Sequence, residues 1–212
     1  MRRLILVLCS TLAASSVGAQ IVRPRYSLND PVAFVSLGMA FQQSFQMTDG
    51  TTGTTWQFSN ATPYVASLEK ALSGGASLGL RASTAKIPLR YTSSGGASDA
   101  DANVSQGFLT LHVASGSSFH SVLELSAGAT MFSNFRSQAG GAKLPPNSPD
   151  YDFSFGFGYG FGYSFNPRFA IDVVQDVTTS LHQKTGLAAG DDSSIRLHST
   201  RVVGRFGLGG RR

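Results

Sequence analysis

The side chains able to do chemistry are few in this chain of 212 residues. Asp, Glu, Lys and Arg make up 14% of it, against a typical quarter for soluble domains. Asp172 and Asp176 are four residues apart, as are Arg201 and Arg205. On an extended chain, side chains repeat every two residues, so each pair shares one face. Opposite signs at matched spacing predict ion pairs, and Arg81 and Glu124 fall on similar polar faces. Acyl transfer would need a serine beside a histidine. His120-Ser121 and His198-Ser199 are direct neighbours, so in a strand they point to opposite faces. His198 and Thr200 share a face, but no acidic partner is evident there. His112, His120, His182 and His198 show no metal-ligand spacing. Gly158-Tyr159-Gly160-Phe161-Gly162 has nucleotide-loop glycines but lacks the strand, turn and helix such a loop requires. No catalytic residue, cofactor or metal ligand is expected.

The element carrying those glycines is the clearest in the chain. From Tyr151 to Phe165 every odd position is Tyr or Phe, and from 154 to 164 every even position is Gly or Ser. Strict period two means a strand with two unlike faces. The alternation recurs in Ala33–Met47 (interrupted by Gln43), Trp56–Leu72, Ala76–Ala82, Val104–Val113, Phe119–Met131, Phe169–Leu181 and Ile195–Leu208. Together these make eight strands. Thr62-Pro63 ahead of Tyr64, Val65, Leu68 and Leu72, with Gly74 after, also has the form of a capped helix. Seven neighbours with strand periodicity outweigh it.

The connections alternate in length. Ser73–Gly75, Ala114–Ser118 and Asn166–Arg168 are short, and apolar faces stay on one surface across each. Thr48–Thr55, Thr92–Asn103, Arg136–Asp150 and Gln183–Ser194 are longer and polar. Short turns at one end and long loops at the other are the pattern of a transmembrane β-barrel. Ahead of the strands, Arg2 and Arg3, an apolar run opening at Leu4 and Val17-Gly18-Ala19 predict a signal peptide over 1–19. A tail over 20–30 then leads into a barrel domain over 31–212. Without Arg2 and Arg3 the chain keeps 15 basic and 12 acidic residues, a net +3 too weak and dispersed for nucleic acid. Its one cysteine, Cys9, falls within the signal.

A soluble lipocalin-like barrel would put apolar residues inside and many charges outside. Here the polar faces are mostly Gly, Ser, Thr and Gln with a few charges of both signs, which suits a tight lumen. Aromatics at the strand ends predict two girdles: Phe45, Trp56 and Tyr91 toward the long loops, and Phe119, Phe165, Phe169 and Phe206 toward the short turns. With these features, from Pro31 to Leu208 and in stretches such as GYGFGYSFNPRFAIDVV, the chain resembles the small outer-membrane β-barrel family of the OmpA/OmpX transmembrane type. The resemblance implies an all-β, eight-stranded antiparallel up-and-down transmembrane barrel in a Gram-negative outer membrane, with long loops outside and both termini in the periplasm. It also implies outer-membrane lipid and lipopolysaccharide as surroundings and the barrel assembly machinery as a partner. Members usually end on an aromatic residue, whereas here Gly-Leu-Gly-Gly-Arg-Arg follows Phe206.

Eight strands enclose a space that side chains just fill. The expected role is therefore structural or surface-interacting, with the loops open to an extracellular partner. A lipid A deacylase-like enzyme and a soluble ligand-binding barrel are the alternatives. In the last hairpin, a centred loop gives paired residue numbers summing to 377, which sets Asp172 opposite Arg205 and Asp176 opposite Arg201. With Arg81 and Glu124, these are the expected ion-pairing residues of the lumen.

Overall fold

The structure, a computed structural model, describes residues 30–182 and 194–210. The expected signal segment, the expected tail up to residue 29 and most of the expected last long loop lie outside the described residues. The described residues form ten strands: β1 (Ala33–Gln42), β2 (Phe45–Asp49), β3 (Thr54–Phe58), β4 (Tyr64–Ala71), β5 (Ala76–Ser93), β6 (Gly96–Gly116), β7 (Phe119–Ser137), β8 (Asp150–Asn166), β9 (Phe169–Leu181) and β10 (Ser194–Leu208). Eight of them close a ring in the order β1-β4-β5-β6-β7-β8-β9-β10, with β10 pairing back to β1 and every pairing antiparallel. β2 and β3 continue β1 and β4 upward as a hairpin, and β3 joins the upper part of β5. The segment with helix-like capping is β4, a strand held between β1 and β5.

A barrel strand crosses a bilayer in about 9–11 residues. β5, β6 and β7 have 18, 21 and 19 residues, so roughly half of each stands clear of the membrane. The expected Thr92–Asn103 loop is largely strand, reduced to a turn at Ser94-Gly95. Its polar residues alternate with Ala100 and Ala102, which point inward.

The two halves of the barrel are filled oppositely. Toward the short turns, Leu37, Leu68, Leu80 and Leu109 face outward, with Leu80 66% exposed, while Arg81, Glu124, Asp172, Asp176, Arg201 and Arg205 are buried inside. Toward the other end, the interior is apolar. Phe45, Met47, Trp56, Phe58, Ile87, Leu89, Tyr91, Val104, Phe132, Phe135, Ile195 and Leu197 form one cluster. Outside it, Lys86 donates to Asp101 over 2.9 Å, and that hydrogen bond holds the Asp101 carboxyl below its usual range.

This inversion corrects the expected upper girdle. Trp56 is fully buried, and Phe45 and Tyr91 are buried with it, stacked or packed inside rather than facing lipid. Along β5 the odd residues stay inward throughout; what changes is their chemistry, from Ser77 and Arg81 to Ile87, Leu89 and Tyr91. β1 instead gains an extra residue at Gln43-Ser44, where the Ser44 N–H donates to Asn60 Oδ1. Phe41 therefore faces out, while Phe45 and Met47, also odd, face in. Asn134 does the same in β7: its φ of 56° lies in the left-handed region, and Phe132 and Phe135, three residues apart, both turn inward.

The lower girdle stands where the sequence puts it. Phe165, Phe169 and Phe206 stack in series with ring centroids 5.3 and 5.0 Å apart, and Phe119 stacks on Phe161 at 5.8 Å. Both ends of the barrel meet there, the Val32 N–H donating to Leu208 O.

Trp56 is the one tryptophan of the chain, so its fluorescence reports on this inversion directly. In reconstituted vesicles its emission should be blue-shifted, and neither aqueous iodide nor brominated acyl chains should quench it. Strong quenching by the brominated lipid would place it in the girdle after all.

Candidate functional site

The charged lumen is built by inward positions of five strands. Glu124 of β7 lies at its centre. Its Oε2 accepts from Arg81 Nη1 of β5 at 2.6 Å and from Arg201 Nη2 of β10, while Oε1 meets His112 Nδ1 of β6 at 2.9 Å. Asp176 of β9 takes Arg201 Nε at 2.9 Å and Arg81 at 3.4 Å. Two guanidiniums thus face two carboxylates, and charge closes within the cluster. Arg81 also lies over the Phe108 ring at 5.5 Å. The free space beside Arg81, Gln106 and Arg201 is a cavity of about 30 Å³, room for one water.

Nearer the short turns are two smaller groups. Arg205 Nη2 donates to Glu69 Oε2 at 2.8 Å and to Ser77 Oγ at 2.7 Å, and its guanidinium lies 3.8 Å above the Phe34 ring. His120 Nε2 meets Asp172 Oδ1 at 3.0 Å. β8 supplies no charge here but leaves the room. A Cβ on Gly158 would come within 2.7 Å of Asp176 Oδ1, and one on Gly162 would collide with Asp172 and His120. That accounts for the run of alternating glycines.

Of the residues expected in the lumen, Asp176 and Arg201 are brought together with Arg81 and Glu124. Asp172 and Arg205 are not paired. The β9–β10 register sums to 375, setting Val203 opposite Asp172 and Ala170 opposite Arg205. Asp176 and Arg201 therefore meet diagonally, and Asp172 turns to His120 while Arg205 turns to Glu69. Glu69, His112 and His120 were missed as members of the network. Their strand parity was the available signal, since each alternates with an apolar outward neighbour.

At the opposite end, above the apolar core, lies a second polar group. His182, just past β9, holds Nδ1 3.0 Å from Asp152 Oδ2 and 3.5 Å from Asp150 Oδ2. Asp49, ending β2, is buried beside them. Burial pushes the Asp150 carboxyl up. For His182, burial works downward, but the hydrogen bond and charge of Asp152, with Asp150 and Asp49, outweigh it and hold the ring above its ordinary value.

Two serines lie near His120 in sequence or space. Ser121 points away from His120, to Ser115 O. Ser164 Oγ lies 3.4 Å from His120 Nδ1, longer than the roughly 2.6–3.2 Å of a general base at work. His198 is exposed on the outer face.

With the geometry in place, comparison with known proteins is informative on fold. No protein-family model and no curated protein matches the sequence. Among solved structures, Neisserial surface protein A is similar at a TM-score of 0.55 and 10% identity, over 83% of this chain and 97% of that one. The chain has the fold of the small outer-membrane β-barrels. The outer membrane protein OprG from Pseudomonas aeruginosa matches at TM-score 0.47 and 12% identity over 85% and 98% of the two chains. The attachment invasion locus protein Ail of Yersinia pestis matches at 0.39 and 16% over 84% and 99%. A closed ring of this kind lets the backbone N–H and C=O groups of its strands pair with one another where no water is at hand.

Removing Glu124 leaves two buried cations facing the single carboxylate of Asp176, whereas removing one cation with it restores balance. Glu124→Ala should destabilise the barrel by about 3–5 kcal/mol. Glu124→Ala with Arg201→Ala should cost less than the sum of the singles by about 1–3 kcal/mol, read by urea unfolding in lipid vesicles. A simple sum would mean that the pair carries no coupling.

Proposed function

We propose that this protein is a non-conducting barrel that anchors a rigid extension above the outer membrane, with a structural or surface-interaction role. The observation that carries this reading is the double closure of the lumen. Arg81, Glu124, Asp176 and Arg201 fill the membrane half, and the aromatic cluster around Trp56, Phe58 and Phe132 fills the half above. Porins with open channels use about twice as many strands. A closed interior that extends beyond the bilayer supplies support, and its outward surface changes at Thr84 and Ser105 from apolar to polar.

Lipid and lipopolysaccharide surround the apolar band in this reading, and the barrel assembly machinery inserts the chain. A loop-mediated extracellular partner would meet the tips at Gly50–Gly53, Ser94-Gly95 and 138–149. The lumen charges serve stability and register rather than chemistry, which favours a non-enzymatic role.

Planar-bilayer recordings should show no stable water-filled conductance; a steady open level would refute the closed lumen. A tag inserted near Gly96 or Gly141 should be labelled on intact cells. Labelling only after lysis would reverse the orientation.

A further inference from the structure

The polar group above the apolar core has a composition that neither the lumen network nor the structural reading uses. Asp49, Asp150 and His182 each present one donor atom, and these three atoms lie within 4.8 Å of one another. Some point therefore lies within about 2.8 Å of all three atoms, and a small inward shift reaches the roughly 2.0–2.2 Å of Zn–N and Zn–O bonds. Asp152 stands against the same imidazole and is itself buried. The donors come from three parts of the chain: the end of β2, the start of β8 and the residue after β9. β8 and β9 are paired, but β2 hydrogen-bonds only β3 within the sheet, so Asp49 reaches the other two donors from an element that the backbone ladder does not join to theirs.

His182 separates this from a plain acidic group. Its ring is 1% exposed and aimed at the carboxylates through Nδ1, and its other nitrogen, Nε2, is buried with no hydrogen-bond partner among the described residues. Beneath it the ring packs on Trp56 and Phe132, with centroids 5.7 and 6.5 Å away, so the imidazole is held in place by the apolar core. Asp49 is fixed too, its Oδ1 accepting from the N–H groups of Thr51 and Thr52. Gathering three carboxylates around one buried imidazole concentrates negative charge where water is scarce, and a divalent cation answers that charge. One imidazole with carboxylate oxygens is a donor set of borderline softness, suited to Zn²⁺ more than to Ca²⁺ or Mg²⁺.

We propose that Asp49, Asp150 and His182, through Nδ1, bind a divalent cation of the zinc class at the extracellular mouth, the ion releasing to water the proton that Nδ1 otherwise shares with Asp152. The cation ties β2 to β8 and β9 across the barrel opening. This goes beyond the structural reading and does not depend on the lumen's being closed.

The test is calorimetric titration of ZnCl2 into the full folded barrel in detergent, with MnCl2 and CaCl2 as comparison arms. One Zn²⁺ per barrel is expected, bound more tightly than Ca²⁺. Asp150→Asn and His182→Asn should each weaken it by at least about tenfold, in line with the loss of a ligand or its support. His198→Ala, on the outer face, should leave it unchanged. The heat-modifiable gel shift confirms folding of each variant before titration, and Asp150→Asn keeps the test decisive where His182→Asn does not fold. ZnCl2 should also raise the midpoint of that shift in the wild type and not in Asp150→Asn. Equal binding by wild type and Asp150→Asn, loss of binding with His198→Ala alone, or no binding at 100-fold molar excess would each overturn the site.

Discussion

Closure of the sheet is the constraint on which the rest depends. β10 returns to β1 over a ten-residue register, from Ala33 opposite Leu208 to Gln42 opposite Ser199. No strand of the ring in the membrane half is left with an open edge, the condition for irregularity-free passage through lipid. Once eight strands close, the inner cross-section is set, and whatever points inward must fit that width and satisfy its own polar groups. The glycines of β8 follow from this: the side chains of Asp176, Asp172 and His120 occupy the space that Cβ atoms at Gly158 and Gly162 would need. Curvature asks for glycine as well. A Cβ at Gly128 or Gly160 would collide with the backbone of the neighbouring strand, so close coiling there depends on its absence.

Within the membrane half, charge must cancel locally because the packed lumen leaves room for about one water beside the charges. Glu124 between Arg81 and Arg201 achieves this over short bonds, with Asp176 balancing the second cation. Such buried pairs add little net stability against an apolar filling, since desolvation offsets the attraction. Their larger consequence is register. A slip of one residue turns a whole face over, and would move Glu124, Asp176 and Arg201 into lipid, where charges cost several kcal/mol. The polar interior makes the correct alignment far better than its neighbours.

Above the membrane the same strands solve the opposite problem. Water now bathes the outside, so the interior takes the apolar side chains and the exterior takes Lys86, Arg90, Asp99 and Asp101. Trp56 packs against Phe135 at 4.4 Å with its ring tilted by 42°, and Phe45 stacks on Phe58 at 4.5 Å, a core of the kind a soluble barrel has. The protein thus joins an inside-out barrel to an ordinary one without interrupting β5 or β6. The closed lumen and the raised tips are two results of that one arrangement. The core also holds His182 from below, which is how the mouth presents a fixed imidazole among carboxylates.

Much of this was legible in the chain alone. Period two marks each strand because successive side chains point to opposite faces whatever surrounds them. Tyr151–Phe165 shows it without exception, and the short turns at Ser73–Gly75 and Asn166–Arg168 preserve it. The lower aromatics were identifiable for the same reason. Period two does not say which face is inside, and that depends on what lies outside at each height. Phe45, Trp56 and Tyr91 were therefore assigned to lipid by continuing the apolar face of the lower strands, although they stand where the exterior is water. The extra residue at Gln43-Ser44 and the left-handed Asn134 shift parity within an alternating pattern, and only backbone geometry records them. Loop length likewise left the β9–β10 register two residues off, because the ladder extends up from Phe206 opposite Phe169 at the other end. Glu69 and Arg205 are 136 residues apart, and Asp49 ends β2 while His182 follows β9, two strands that do not pair. Sequence determined that there would be eight two-faced strands; closure determined which residues meet, because contacts across a lumen depend on stagger and tilt that no local pattern encodes.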